Sequence, residues 1–303
     1  MEKNNNFEMR TAVAIIIFNR PDTTKAVIDE IRKAKPPRLY IISDEAREGK
    51  AGEREKVDET RALVENSVDW ECEVIKNYAE KNMGCKKRVA SGITWLFEHE
   101  EQAIILEDDC VPKQEFFRYC QEMLEKYKDD EQVMMVSGTN NVPSYKVPQS
   151  ICFSRFSCIW GWATWRRAWN KYDIEMKDWP EIHEKGLFKP YFRGIEYKVF
   201  ARDASKIHAG LVDTWDMQWQ VCILKNGFGI APQGNLIHNI GCGHEEATHT
   251  KDSSKEIAEY GDMVFPLKTP DKLEVDALYD RNYTKDLYGM KRVINGAIHK
   301  VFK

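Results

Sequence analysis

The chain has 303 residues, of which 42% are hydrophobic and 31% charged, with a formal net charge of −4. A chain of this length can bury one sizeable core. Its net charge is slightly negative, whereas nucleic-acid-binding proteins usually carry an excess of basic residues, so we expect no nucleic-acid partner. The eight cysteines contain no CxxC pair, the first ten residues are polar, and no apolar run is long enough to cross a bilayer. These features favour reduced thiols and a cytoplasmic location.

Strands and helices alternate through the first half of the chain. Apolar runs predict buried strands, and apolar positions at helical spacing predict the helices between them. The predicted strands cover residues 11–18, 39–42, 72–75, 103–106 and 133–137. The predicted helices cover residues 23–33 and 86–98, with another ending near residue 68 and another starting at Pro112. This alternation predicts an α/β fold with a mostly parallel central sheet flanked by helices.

The second half shows a different composition, because aromatic residues are crowded between residues 151 and 179. A helix is predicted to open in the segment 213–219 and to run to Lys225. Asn226-Gly227 ends that helix, and a loop rich in glycine, asparagine and histidine is expected through Thr250. No internal repeat or low-complexity linker separates the halves, so we expect them to share one body.

The C-terminal segment 285–303 has apolar residues on one side of a predicted helix and several basic residues beside them. A basic amphipathic helix of this kind can lie on an anionic membrane surface. The alternative is a terminal helix that docks on the domain. Gly289 and Gly296 weaken the prediction of a continuous helix.

Three consecutive carboxylates, Glu107, Asp108 and Asp109, follow the predicted buried strand 103–106. Desolvating a carboxylate is costly, so these acids must reach solvent or a cation at the strand's carboxyl end, where α/β folds bind ligands. Mg²⁺ and Mn²⁺ prefer oxygen ligands and often join a protein carboxylate to a phosphate. The alternative is a solvated turn with acids near a helix N-terminus.

Other polar residues are expected at the same edge of the sheet. Arg20 follows the first strand and can hydrogen-bond a phosphate through two N–H groups, and Asp44 follows the second strand. Arg88 follows two lysines at a predicted helix start, which adds positive charge to a positive helix terminus. Each of these residues alone has an ordinary surface or turn explanation. Together with the acids, they predict a site for a nucleoside diphosphate and a metal ion.

Residues 103–119 resemble the segment around the metal-binding acids of the N-acetylglucosaminyltransferase I family, with three acids, a proline and a paired phenylalanine. The looser resemblance extends over residues 11–250. It implies a GT-A fold, a uridine-diphosphate sugar donor, a Mn²⁺ or Mg²⁺ cofactor and transfer with inversion. On that resemblance Asp109 would bind the metal, with Glu107 and Asp108 in support. Arg20 and Asp44 would then hold the uridine diphosphate.

Inverting transfer needs a base that takes the proton of the acceptor hydroxyl. In the family, that base is a carboxylate shortly after a tryptophan near a helix start. Trp215-Asp216 is similar, so Asp216 is the predicted base and Asp213 the reserve. Either aspartate can instead be an N-cap of the predicted helix.

The loop 239–250 is a further candidate, because its glycines permit close backbone approach. His249 can ligate the metal or contact the diphosphate, and such a loop can close over a donor. Its alternative is an ordinary surface loop. Trp160 and Trp162 are candidates for contact with the acceptor, since aromatic faces stack on sugars, whereas Trp165 and Trp169 are expected in the core.

The sequence therefore predicts a metal-dependent glycosyltransferase acting on a glycan or lipid-linked acceptor, in bacterial surface-glycan synthesis. We expect a nucleotide-sugar-binding half (11–140), an acceptor-binding and catalytic half (141–255) and a C-terminal extension (256–303), the last in peripheral contact with the inner membrane. Two alternatives stay open at this point. A sugar-phosphate nucleotidyltransferase would also place acids and a metal at a sheet edge, and a non-catalytic glycan-binding protein would explain the tryptophans.

Overall fold

The computed structural model describes residues 7–241 and 260–290. In these residues the strands are β1 (Ala12–Ile17), β2 (Arg38–Ser43), β3 (Glu73–Tyr78), β4 (Gln102–Glu107), β5 (Cys110–Pro112), β6 (Val133–Ser137), β7 (Ile151–Ser154), β8 (Trp162–Trp165), β9 (Phe228–Pro232) and β10 (Ile237–Asn239). The α-helices are α1 (Pro21–Ala34), α2 (Glu53–Asn66), α3 (Gly84–His99), α4 (Gln114–Lys126), α5 (Arg166–Trp169), α6 (Trp179–Lys185), α7 (Glu196–His208), α8 (Asp216–Asn226) and α9 (Ala277–Tyr288). A 3₁₀ turn covers Lys189–Tyr191.

Eight strands form one central sheet in the order β3-β2-β1-β4-β8-β6-β9-β7. The pairs β3/β2, β2/β1, β1/β4 and β6/β9 are parallel, whereas β4/β8, β8/β6 and β9/β7 are antiparallel. A small antiparallel sheet joins β5 to β10. The predicted α/β class, with a mostly parallel sheet flanked by helices, is confirmed.

The apolar strands form the middle layer because helices cover both of their faces. All six residues of β1 are buried. On one face α1 and α4 contribute Ile28 and Phe117 to a core cluster, and on the other face α3 and α8 contribute Ile93 and Trp219 to a second. Because β1 and β4 are buried on both faces, their sequences are long apolar runs rather than alternating apolar and polar residues.

A third core cluster lies under the helices of the second half. Trp179 from α6, Phe200 from α7 and Tyr279 from α9 are among its buried members. Strands β7, β8 and β9 belong to the same sheet as β1 to β4, so both halves of the chain contribute to one sheet. None of the helices in the described part of the chain is long and apolar enough to span a membrane.

Three predicted elements differ from the structure. Pro112 ends β5 rather than starting a helix, because residues 110–112 pair with β10, and α4 begins at Gln114. Residues 228–232, expected in a loop, form the fully buried strand β9. The C-terminal helix α9 begins at Ala277, where Asp276 caps it, and the rest of the predicted helix, residues 291–303, lies outside the described residues.

Candidate functional site

The acids predicted at the end of β4 meet Arg20 at the end of β1. Strand β1 has β2 and β3 on one side and β4 on the other, so the connection changes direction between β1 and β4. This is a topological switch point, where α/β sheets bind ligands. Arg20 donates from Nε to Asp108 Oδ2 at 3.2 Å, its Nη2 contacts Asp108 Oδ1, and Nη2 lies 3.0 Å from Asp109 Oδ2. The switch point is therefore a buried cluster of opposite charges.

Glu107 is the acid of this cluster that Arg20 does not contact. Its Oε1 is buried and has no hydrogen-bond partner among the residues that the structure describes. Burial, together with the charges of Asp109 and Asp108, raises the pKa of Glu107 to about 8, although Arg20 opposes the shift. Even with Glu107 protonated, two carboxylates face one guanidinium, so the cluster has more negative than positive charge.

The chain returns to these acids through β10. Ile240 donates its backbone N–H to the carbonyl of Asp109 at 2.9 Å. At Gly241 a Cβ would lie 2.0 Å from Asp109 Oδ2 and 2.9 Å from Arg20 Nη1. The predicted close approach of the loop 239–250 is thus present at its first residues. His249 and the rest of that loop lie outside the described residues.

Asp44 and Asp213 share the N-terminus of α3. Asp44 accepts a hydrogen bond from the backbone N–H of Met83 through Oδ1 and one from the backbone N–H of Gly84 through Oδ2, both at 3.0 Å. Asp213 accepts from the N–H groups of Cys85 at 3.0 Å and Lys86 at 3.2 Å. The first N–H groups of a helix lack intrahelical partners, and here two aspartates from distant segments satisfy four of them. Both side chains therefore position α3 beside the acids.

Arg88 is buried within the first half rather than on the open edge of the sheet. Its Nη2 donates to the carbonyl oxygen of Asn77 at 2.6 Å and to the Oδ1 of that residue at 2.7 Å. Burial lowers the pKa of Arg88, and the charge of Asp44 opposes that shift. Its Nε is buried without a partner among the described residues. These contacts hold β3 to α3, and the predicted donor contact of Arg88 stays a prediction.

Asp216 differs from Asp213 because, in the described part of the chain, its side chain does not cap α3 and bonds only to residues of its own segment. It is exposed at the first residue of α8, and its Oδ1 accepts from Thr214 Oγ1 and from the N–H of Met217. Among the described residues, Oδ2 has no hydrogen bond. The charge of Asp216 helps to raise the pKa values of Glu107 and Cys85, so Asp216 lies within electrostatic range of both.

Trp215 fixes the start of α8, and with it Asp216. Its ring stacks on Trp162 with ring centroids 5.7 Å apart, and its carbonyl accepts a hydrogen bond from Tyr172 at 3.1 Å. Trp162 is fully buried in β8, so it cannot present a face to an acceptor, and this corrects its predicted role. Trp165 and Trp169 are also core residues, as expected. Trp160 is half-buried and packs against the first core cluster, and its predicted acceptor contact stays a prediction.

Cys85 is a residue of the site that the sequence reasoning did not single out. Burial raises the pKa of its thiol, and the charges of Glu107, Asp213, Asp216 and Asp44 add to the shift. Its position at the start of a helix was visible in the sequence, but nothing there indicated that the charges of acids from three other segments would act on its thiol.

The donor set at the switch point fits a hard divalent cation. Among the described residues, no group of three His, Cys, Asp or Glu side chains is arranged to hold a metal ion. Mg²⁺, however, commonly binds to one or two carboxylates and completes its shell with water and substrate phosphates. Asp109 and the unpartnered oxygen of Glu107 supply such oxygen ligands, and a divalent charge would balance the excess acids. Asp108 is less suited, because Arg20 contacts both of its oxygens.

No family model and no curated protein sequence matches this chain. A solved mannosyltransferase from Pyrobaculum calidifontis, in complex with GDP-Man and Mn²⁺, matches with a TM-score of 0.40 and 15% identity over 56% of this chain. The match spans 49% of that enzyme, about half its length. The galactosyltransferase LgtC, with donor and acceptor sugar analogues, gives a TM-score of 0.37 and 8% identity over 72% of both chains.

UDP-glucose pyrophosphorylase, solved with UDP-glucose, gives a TM-score of 0.34 and 7% identity over 54% of this chain and 79% of that one. These values are too low to assign an activity. The likeness to N-acetylglucosaminyltransferase I therefore stays a prediction. What the protein does has to be argued from the residues of its site.

Proposed function

We propose that this protein is a metal-dependent glycosyltransferase of GT-A type that moves a sugar from a nucleotide-diphosphate donor to a hydroxyl acceptor. One observation supports the proposal above the others: Arg20 and three acids meet at the topological switch point between β1 and β4. The acids could hold a metal ion, and the guanidinium of Arg20 and that ion would together supply the positive charge that a diphosphate requires.

Arg20 is the protein's own diphosphate-binding group in this proposal. Asp108 and Asp109 hold its Nε and Nη2, so the side chain is oriented before a donor arrives. Its Nη1 makes no hydrogen bond among the described residues and can donate to a phosphate oxygen. Asp109 would hold the metal, and Glu107 would support it. When bound, the metal ion stabilises negative charge on the departing nucleoside diphosphate.

Asp216 is the proposed base. The unpartnered Oδ2 can accept the proton of the acceptor hydroxyl as that oxygen attacks the anomeric carbon. Thr214 orients the carboxylate through the other oxygen. Attack from the side opposite the leaving diphosphate would invert the anomeric configuration. A uridine nucleotide, a glycan or lipid-linked acceptor and a cytoplasmic role in bacterial surface-glycan synthesis are the finer parts of this proposal, as inferred from the sequence.

The test is to incubate the full chain with Mn²⁺ and each common nucleotide sugar, and to measure both donor binding by calorimetry and released nucleoside diphosphate. We expect Mn²⁺-dependent binding of at least one donor, weakened at least roughly tenfold by Asp109→Asn. The matched control is Asp29→Asn, which removes a carboxylate paired with Lys25 on the surface of α1.

Donor binding that is absent, or equal in Asp109→Asn and wild type, would contradict the proposal. A nucleotidyltransferase would instead consume a nucleoside triphosphate and release pyrophosphate. A non-catalytic glycan-binding protein would release neither product.

A further inference from the structure

A groove of about 600 Å³ lies between α6 and α7, and it is lined by none of the residues of the candidate site at the switch point. This volume is within the range of small-ligand sites. Its floor includes Phe192 and Tyr197, whose ring centroids are 5.8 Å apart. Its rim includes the basic side chains His183, Lys189, Lys198 and Arg202. The groove therefore combines an aromatic floor with a basic rim.

The floor is held in place by packing. Phe192 contacts Phe200 with ring centroids 4.9 Å apart, and His183 stacks on Trp179 at 5.4 Å. Tyr197 Oη lies 3.5 Å from His183 Nδ1. Packed side chains keep their rotamers, so the shape of the groove is set before any ligand binds.

Two of the rim cations have no acidic partner. Lys189 and Lys198 are exposed and form no ion pair with any acid that the structure describes. The aliphatic part of Lys189 lies over Gly186, where a Cβ would be 2.7 Å from its Cδ. Lys189 Nζ also lies 5.8 Å from the centre of the Tyr197 ring. These contacts hold one ammonium group over the floor of the groove.

Three of the four acids of the same segment are paired or buried, and the fourth, Glu184, is exposed and does not line the groove. Residues 181–208 contain six Lys and Arg but only four Asp and Glu, although the whole chain has a net charge of −4. Glu181 pairs with Lys185, and Asp203 pairs with Arg202. Glu196 is buried and accepts the backbone N–H of Arg193 at 2.9 Å. The groove thus keeps a local excess of positive charge.

We propose that this groove binds an anionic saccharide, a sugar bearing a carboxylate or phosphate group. Ammonium groups form strong charge-assisted hydrogen bonds with such anions, and aromatic side chains accommodate the apolar faces of sugar rings. The switch-point cluster differs, because its acids exceed its cations and in the proposed function it accepts an anion only together with a metal ion. The groove is therefore a second binding site, and it stands independently of the proposed transfer activity.

The test is calorimetry of the full chain, without nucleotide sugar, against trigalacturonate as the acidic probe and maltotriose as the neutral one. We expect trigalacturonate to bind and maltotriose not to bind. The double variant Lys189→Gln/Lys198→Gln should weaken trigalacturonate binding at least roughly tenfold, because each substitution removes a charged hydrogen-bond donor. The control Lys185→Gln/Lys206→Gln removes two exposed cations of the same segment that do not line the groove.

Unchanged thermal unfolding and an unchanged circular dichroism spectrum would show that the groove variant is folded. Equal binding in the two double variants, equal binding of the neutral probe, or no binding would overturn the proposal. So would inorganic phosphate that binds as tightly as trigalacturonate, or binding confined to phosphatidylglycerol vesicles, which would indicate a membrane surface instead. Because no donor is present, a failure here leaves the transfer proposal unaffected, and the reverse also holds.

Discussion

At the residue scale, the clearest distinction is between Asp213 and Asp216. Both are exposed acids near the start of α8, and apart from the tryptophan that precedes Asp216 the sequence allows either one to be the base or a helix cap. In the structure, Asp213 uses both oxygens on backbone N–H groups of α3, whereas Asp216 keeps one oxygen free of partners among the described residues. A carboxylate that caps a helix contributes stability, and one with a free oxygen beside a charged site can accept a proton.

Substitution of these two residues should therefore have opposite consequences. Asp216→Asn is expected to lower kcat by roughly 10²- to 10⁴-fold, the usual contribution of a general base, with little change in the KM of the donor. Asp213→Asn is expected to keep most of kcat and to lower the free energy of unfolding by about 1 kcal/mol, because the amide can accept only one of the two N–H groups that the carboxylate binds.

Steady-state kinetics and urea denaturation of both variants would check this expectation. The assignment of the base would be reversed if Asp213→Asn lost kcat while Asp216→Asn retained it.

At the scale of elements, the pairing of β5 with β10 brings a distant segment onto the acids. The sequence showed a glycine-containing loop near residue 241 but not its partner. Once Asn239 pairs with Cys110, the next residues must pass over Asp109, since that acid directly precedes Cys110. Only a residue without a side chain fits at Gly241, because a Cβ would lie 2.0 Å from Asp109 Oδ2.

Gly241→Ala is accordingly expected to displace Asp109 or Arg20 and to weaken Mn²⁺-dependent donor binding, while the overall fold is kept. Overpacking of this kind costs about 1–3 kcal/mol of stability. Calorimetry with Mn²⁺ and donor measures the loss, and circular dichroism checks the fold. Gly49→Ala is the control, because its Cβ would meet no atom within 4 Å and the strain of its left-handed backbone (φ +75°) stays in an exposed turn. Unaltered donor binding in Gly241→Ala would show that the loop does not constrain the acids.

At the scale of the whole molecule, Asp280 connects α9 to the central sheet. It accepts hydrogen bonds from Ser154 Oγ at 2.7 Å and from the backbone N–H of Arg155 at 3.1 Å. Burial raises the pKa of Asp280 to about 6, although Ser154 and Arg155 oppose the shift. The C-terminal helix is thus attached through a carboxyl group that binds its proton more tightly in the folded state than in the unfolded chain.

The sign of the pH dependence follows from this raised pKa. Between about pH 4 and pH 6 the folded state holds the proton of Asp280 while the unfolded chain has released it, so the contribution to stability falls as pH rises. A rise from 3.8 to about 6 corresponds to a loss of about 3 kcal/mol, which is complete above pH 6. Asp280→Asn should remove this component. Urea denaturation of both proteins at pH 4.5 and 7 measures it, and identical pH profiles would contradict the expectation.

The sequence by itself determined the central strands and the edge of the sheet at which the acids lie. Continuous apolar runs at β1 and β4 require burial on both faces, and a carboxylate directly after such a run must leave the core. Because parallel strands have their carboxyl ends at the same edge of a sheet, the sequence alone placed Arg20 and the acids close together. The local sequence pattern was sufficient to predict a strand together with the polar residues that directly follow it in the chain.

Only the tertiary structure decided the partners that come from distant segments. The burial of Trp162 depends on its stacking with Trp215, and the capping role of Asp213 depends on α3, more than 120 residues earlier. Strand β9 looked like a loop because its glycine and proline weaken the local strand signal, yet pairing with β6 and β7 stabilises it. A side chain's role in this protein is set by which groups satisfy its hydrogen bonds and charge, and those groups are fixed only when the chain packs.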